Sequence, residues 1–450
     1  MAMLLPFLDQ FMKKDSPIWW CLLLPLSLCG LFGCSKNGEL GVSNPSSEKY
    51  FEGPCAGIAV FDCNGDGRRD VVLLKGGKFP PSFPGGLAEK KTKPRGILVF
   101  FNLGRKRWKR GDFFPFPGKN GCLTCCRNCD LDGDGDQDLV VGWSDLSGYG
   151  GKIAFFMNNG RGHFSLSSVL NSPRAPFSII SGDLDGDGDV DLAAGSMISD
   201  SGMWGMGYFP FFLLRQDGRG SFTMIQKLGH EKRTWFVSAI TSKDLNGDGL
   251  PEIIIGGMGW LHEPAPLSVF FNKGNMQFRA GKCTSMFFNG LVSNFQWVPN
   301  FSKEKEILAL GVFSRPVYPI YPMKKGRSGV TALMRKSGPT EVFKIVRTLP
   351  EVCGGPVLFG DLDGDGDADM VVGGYGYERK QKIHIYFNNG SGKFSSARTL
   401  GTGNRRVFPM ALCDLDDDFR PDLIFVRFEE PKEKMDKLVV LYNDGKGNFH

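Results

Sequence analysis

Residues Asp361–Gly374 read DLDGDGDADMVVGG, and no other stretch narrows the possible folds of this chain so far. Carboxylates stand at every second position from Asp361 to Asp369, Gly364 and Gly366 lie between them, and an apolar run ends in Gly373-Gly374. Unpaired, five aspartates in nine residues repel one another and melt the loop. Alternate side-chain oxygens with glycine at the sixth position are what a hard cation takes from one short loop. Ca²⁺ is expected rather than Mg²⁺, which holds on to its waters and demands octahedral geometry.

The stretch recurs. Its odd positions are filled by Asp62, Asn64, Asp66, Arg68 and Asp70 in a first copy at 62–70. Asp130, Asp132, Asp134, Asp136 and Asp138 fill them at 130–138, and Asp183, Asp185, Asp187, Asp189 and Asp191 at 183–191. Asp244, Asn246, Asp248, Leu250 and Glu252 follow at 244–252. The copy at 361–369 carries Asp361, Asp363, Asp365, Asp367 and Asp369. The last, at 414–422, carries Asp414, Asp416, Asp418, Arg420 and Asp422, with Asp417 and Phe419 in place of its glycines. First aspartates are 68, 53, 61, 117 and 53 residues apart, so the doubled interval predicts a degenerate copy. Glu306–Gly311 matches the apolar run after each loop, which places that copy at 298–306 without its first carboxylate or its glycines.

A second signature keeps the same phase. Leu98–Gly104, Ile153–Gly160, Ser268–Gly274, Ile383–Gly390 and Val439–Gly445 are short apolar runs ending in an Asn/Gly turn, usually followed by a strand opening on Phe. The repeat unit is strand, metal loop, strand, variable loop, strand, turn, strand. Four antiparallel strands at a period of 50–70 residues read as a propeller blade. The fold class expected is all-β, a seven-bladed β-propeller of four-stranded antiparallel blades over 48–450, with Ca²⁺ loops between strands one and two. Glu48–Phe51 is expected to supply the outer strand of blade seven, leaving no open sheet edge.

Loop, flanking strands and period together resemble the FG-GAP/VCBS repeat family, which includes the integrin α-chain propeller. The resemblance covers nearly the whole chain after about residue 50 and implies that side chains 1, 3, 5 and 9 and the carbonyl of residue 7 hold Ca²⁺. Five to six structural sites are expected, each clipping the hairpin between strands one and two. The resemblance also puts the variable loops and the joins between blades on the opposite face. There Trp143, Trp204, Trp260, His262, Tyr375 and Tyr377, with Arg174, Arg233, Trp235 and Arg406 from the joins, form a candidate ligand face. The competing reading of these aromatics is packing between blades.

The N-terminus reads as an export signal over 1–33. Lys13-Lys14 precede an apolar stretch, Ile18 to Phe32, too short to span a bilayer, and Met12 is an alternative start to Met1. Leu31-Phe-Gly-Cys34 resembles the lipobox of bacterial lipoproteins, which makes Cys34 the lipidated residue and 34–47 a tether. Nine cysteines remain after Cys34, so at least one is free or pairs with another chain. Cys122, Cys125, Cys126 and Cys129 are expected on an innermost strand, as buried small hydrophobes or with one local disulfide.

Net charge is +6, yet the six acidic loops hold 26 of the 48 Asp+Glu, leaving 22 to face the chain's 54 Lys+Arg. With those loops filled, the rest of the surface is basic and favours anionic partners. The function expected is a monomeric, lipid-anchored binding or adhesion module of a bacterial cell envelope. Its partner would be a protein or an acidic glycan, with nucleic acid not expected. The alternative is a polysaccharide lyase or another carbohydrate-active propeller enzyme, built around His230 and His262. No Ser-His-Asp, His-metal or phosphate-loop constellation is present, and the chain is not expected to be an enzyme.

Overall fold

The computed structural model describes residues 48–450 except 53–54, 77–93, 118–120, 145–149, 197–210, 219, 229–233, 260–265, 282–283, 286–290, 300, 302–305, 314–328, 336–342, 350–355, 374–381, 396–397, 403–406 and 428–434. The export signal, Cys34 and the tether lie outside the described residues.

Local sequence explains the strands. The second strand of blade one, Asp70–Lys75, reads DVVLLK and is buried throughout. Successive side chains of a strand point to opposite faces, so a continuous aliphatic run suits a sheet covered on both sides. Val71 and Leu73, with Leu98 and Phe100, pack on Ile424 and Val426 of blade seven. Val72 and Leu74, with Ile97 and Val99, pack on Leu139 and Val141 of blade two. The buried core accordingly divides into seven clusters, each spanning one pair of neighbouring blades.

Blade one comprises Cys55–Phe61, Asp70–Lys75, Gly96–Asn102 and Trp108–Pro115; blade two comprises Cys122–Cys129, Asp138–Ser144, Gly151–Asn158 and Phe164–Ser172. Blade three is Pro176–Gly182, Asp191–Ser196, Phe211–Gln216 and Phe222–Leu228. Blade four is Thr234–Lys243, Glu252–Gly259, Pro266–Asn272 and Phe278–Ala280, with Thr284–Ser285 also on its third strand. Leu291–Pro299, Glu306–Phe313, Gly329–Arg335 and Lys344–Leu349 make blade five, which joins blade four through the single pair Met258 and Leu291. Blade six is Val357–Gly360, Asp369–Val372, Lys382–Tyr386 and Arg398–Gly401. First strands of neighbouring blades touch all the way round, including blade seven with blade one, so the ring is closed. No helix occurs among the described residues.

Blade seven closes as the sequence predicts. Val407–Cys413, Asp422–Arg427 and Met435–Leu441 are its first three strands, and Glu48–Glu52 pairs antiparallel with Met435–Leu441 as the fourth, Tyr50 opposite Lys437. One boundary differs from expectation. The first strand of blade five continues through Val298 to Pro299, which pairs with Glu306. In the other blades eight residues separate the equivalent pair, as between Cys129 and Asp138, so the degenerate loop starts later and is two residues shorter than 298–306 implies.

Deleting residues 48–52 should bare the edge of Met435–Leu441 and forfeit its ladder bonds, on the order of a few kcal/mol. Scanning calorimetry should record a lower unfolding midpoint together with faster proteolysis; an unchanged midpoint would show that the strand does not close the ring.

Candidate metal centres

Each of the six acidic loops folds around its own carboxylates. In five of them the first aspartate accepts the backbone N–H groups of positions four and six, as Asp130 takes Gly133 at 2.7 Å and Gly135 at 3.0 Å. Asp414 in blade seven instead takes positions five and six, Asp418 at 3.2 Å and Phe419 at 2.8 Å. Asp183 and Asp361 repeat the Asp130 pattern within 2.6–3.1 Å. Turning both N–H groups inward puts Gly133 and Gly135 at φ of 76° and 93°, the left-handed region that a Cβ disfavours. Position five then donates to position three, and position seven to position five, as in Asp134 to Asp132 at 3.3 Å and Asp136 to Asp134 at 2.9 Å.

The ninth carboxylate ties the loop to its sheet. Asp138 accepts Leu131 N–H at 2.9 Å and, from the end of the third strand, Asn158 N–H at 2.7 Å. Asp70, Asp191, Asp369 and Asp422 each accept the same two donors. Burial pushes Asp138, Asp191 and Asp369 up to about 6 and Asp422 to about 7, against the pull of those N–H donors.

Three carboxylates converge in four of the loops: Asp130, Asp132 and Asp138; Asp183, Asp185 and Asp191; Asp361, Asp363 and Asp365; Asp414, Asp416 and Asp422. Within each group one oxygen per residue lies within 4.8 Å of the others. Asp363 Oδ1 and Asp416 Oδ1 are buried with no hydrogen-bond partner among the described residues. A buried, unpartnered carboxylate oxygen is costly, and an all-oxygen donor set fits a hard cation such as Ca²⁺. The fifth-position side chains Asp134, Asp187 and Asp418, and Asp369 at position nine, lie outside these groups. At position seven, Arg68 turns its guanidinium to Asp66 at 3.2 Å and Arg420 reaches Asp418 at 3.5 Å. In blades one and four the asparagines stand at position three, and Asn246 bridges Asp248 and Glu252 through its amide at 2.9 and 3.1 Å.

The loop of blade seven carries a visible cost. Asp417 and Phe419 hold the left-handed φ of 64° and 65° that glycines take elsewhere, and Phe419 is 96% exposed.

Of the candidate ligand face, Trp204, Arg233, Trp260, His262, Tyr375, Tyr377 and Arg406 lie outside the described residues, as does His230. Trp235 lies in the first strand of blade four, and Arg174 is half-buried at the join between blades two and three. Trp143 is taken up by packing: it is buried, stacks on Phe116 at 6.4 Å between centroids and lies under Lys152 Nζ. The second strand of blade two carries its side chain into the seam with blade one, where Gly121 and Phe116 leave room for the indole. Among the cysteines, Cys125, Cys126 and Cys129 carry free thiols, which burial pushes up to about 12, 12 and 11, so they stay protonated.

The asparagines that close the third strands carry a second role. An asparagine closes the third strand in five of the blades, where its Oδ1 opens a turn: Asn102 Oδ1 accepts Gly104 N–H at 3.0 Å. Its Nδ2 does something else. Asn158 Nδ2 reaches Cys63 O of blade one at 2.9 Å, and Asn102, Asn272, Asn388 and Asn443 reach the preceding blade in the same way. The signal was the recurrence of Asn itself, beyond what a turn requires.

Two outcomes follow from this geometry. Phe419→Gly should relieve a left-handed residue that packs on little, raising stability by about 1 kcal/mol and the midpoint by about 2 °C. In chelated protein the raised ninth carboxylates bind protons in the native state that the unfolded chain, with pKa near 3.9, has already released. Stability should therefore fall as pH rises from about 4 through 6 to 7. Midpoints measured across this range, with chelator and then with millimolar calcium, should fall in the first series and lose that slope in the second.

Residues 130–194 and 361–425 each match the FG-GAP-like repeat. No curated protein matches the chain. Among solved structures it is similar to Raptor from Chaetomium thermophilum, with a TM-score of 0.52 and 11% identity over 88% of this chain and 29% of that one. It is also similar to the V. cholerae biofilm matrix protein Bap1, with a TM-score of 0.38 and 11% identity over 90% of each chain. At 11% identity the likeness to Raptor is one of fold alone, and what defines the chain is its own loops and blades: it is a seven-bladed β-propeller in which residues 130–194 and 361–425 match the FG-GAP-like repeat.

Proposed function

We propose that this propeller is a calcium-stabilised binding module that works outside the cytoplasm, tethered to a bacterial membrane through Cys34 and engaging a protein or an anionic polysaccharide as a monomer. FG-GAP-like repeat propellers point to binding or adhesion in general terms. The observation that supports the calcium part of this reading is the recurrent oxygen cluster with its orphaned Asp363 and Asp416 oxygens. Asp130, Asp132 and Asp138, Asp183, Asp185 and Asp191, and their counterparts in blades six and seven would hold the ions. The ions supply positive charge to loops that otherwise repel themselves, and the role is structural.

Filling the loops leaves Lys and Arg in large excess over the remaining Asp and Glu. Such a surface attracts acidic polymers or an acidic protein face, and the attraction weakens with salt.

Chelation should lower the unfolding midpoint by many degrees and calcium should restore it; no shift would remove the calcium assignment. Glycan and protein arrays probed at two salt concentrations should lose anionic ligands at the higher one. Incubation with acidic polysaccharides should give a flat absorbance trace for unsaturated products, and a rising one would replace this reading with a lyase.

A further inference from the structure

The asparagine at the end of the third strand does two jobs in one residue. Its backbone N–H donates to the ninth carboxylate of its own loop, and its side-chain amide donates to the position-two carbonyl of the preceding blade. The position-two N–H of that preceding blade donates in turn to its own ninth carboxylate. Hydrogen bonds therefore run from site to site. Asp138 takes Asn158 N–H at 2.7 Å, Asn158 Nδ2 takes hold of Cys63 O at 2.9 Å, and Cys63 N–H donates to Asp70 at 3.2 Å. Asp70 takes Asn102 N–H at 2.8 Å, and Asn102 Nδ2 reaches Leu415 O of blade seven at 2.6 Å. In blade three Gln216 stands in: with its amide turned so that the nitrogen faces the neighbouring carbonyls, that nitrogen donates to Leu131 O at 3.1 Å, and its backbone N–H donates to Asp191 at 3.0 Å.

Among the described residues the line is interrupted once. In blade five the position equivalent to these amides is Ser337, which carries no side-chain amide and lies outside the described residues, and no described amide reaches Leu245, the position-two residue of blade four. Blades six, seven, one, two, three and four thus form one line of six loops, with its ends on either side of blade five.

We propose that these amides couple neighbouring ion sites, so that calcium fills the six loops cooperatively along this line. The proposal rests on the calcium reading above. An ion that fixes the ninth carboxylate of one blade fixes the Asn N–H bonded to it, and the same residue's amide then holds the position-two backbone of the preceding loop. That loop has less conformational freedom left to lose when its own ion binds, which is positive cooperativity carried by ordering. Asn158 splits the line into two groups of three, whereas Asn272, which bonds Leu184 O at 2.8 Å, detaches only blade four.

The test is a calcium titration of the whole protein by calorimetry, with Asn158→Leu, Asn272→Leu and Val99→Ala alongside. Leucine keeps the branching at Cγ and cannot donate. Val99→Ala weakens the same seam as Asn158 without touching an inter-blade amide. The native protein should show a Hill slope above one. Asn158→Leu should flatten it and weaken the last-filled sites about fivefold, Asn272→Leu should flatten it less, and Val99→Ala should lower the unfolding midpoint with the slope retained. A native slope of one, or an equal loss of slope in Val99→Ala, overturns the coupling and leaves the calcium reading standing. Absence of any calcium heat in the native protein overturns the calcium reading itself. Should Asn158→Leu fail to fold, Asn102→Leu cuts the line between blades seven and one, and an undiminished slope there overturns the coupling equally.

Discussion

The buried carboxylate at the ninth loop position is the interaction on which the rest of this molecule depends. In blade two it is Asp138, fully enclosed, holding the N–H of Leu131 on one side and of Asn158 on the other. One group thereby fixes where the metal loop begins, where the second strand begins and where the third strand ends. Burial makes its charge costly, and in blades two, three and seven the group is itself a member of the oxygen cluster, where a cation would offset that cost. Loop, sheet and seam meet at the same two oxygens.

Seams, rather than a central core, supply the apolar burial. Each blade has two greasy faces and satisfies neither alone, so its stability is borrowed from both neighbours. A ring of such units must close, because an open one leaves an apolar face and a strand edge in water. The segment Glu48–Glu52 closes it by lending the first described strand to the last blade. At the same seam Asn102 reaches Leu415 O, Trp108 Nε1 donates to Tyr442 Oη at 2.9 Å, and Lys106 Nζ lies 4.4 Å above the Tyr442 ring.

Blade five shows what happens when the loop chemistry is lost. It has no first aspartate and a shortened loop, yet its strands pair as in the other blades. Besides the packed seam and the Asn388 amide on Phe301 O, amides on its first strand hold it to blade six. Asn294 exchanges hydrogen bonds with Val357 N–H and C=O at 3.2 and 2.8 Å, and Gln296 does the same with Phe359 at 3.0 and 3.2 Å. Each amide copies the donor–acceptor pair of a peptide group, so the two first strands are stitched without a β-ladder. Packing and side-chain amides can hold a blade in place without an acidic loop.

The sequence by itself determined the blade count, the four-strand unit, the closing strand and the residues of the six loops. These follow from short-range rules: alternating carboxylates around glycine, apolar runs of strand length, and one period repeated along the chain. The start of the degenerate loop was misplaced by two residues, because alignment by spacing assumes a constant loop length and only the pairing of Pro299 with Glu306 reveals the shortening. Trp143 could be read as exposed or packed until the seam with blade one surrounded it. The asparagines that close the third strands looked like turn residues because a turn is all that their neighbours in sequence require. Their amides meet carbonyls of another blade, as from Asn158 to Cys63, and a contact between residues so distant in sequence exists only once the blades stand side by side. Local propensity wrote the blades, and their juxtaposition decided which polar groups hold the ring together.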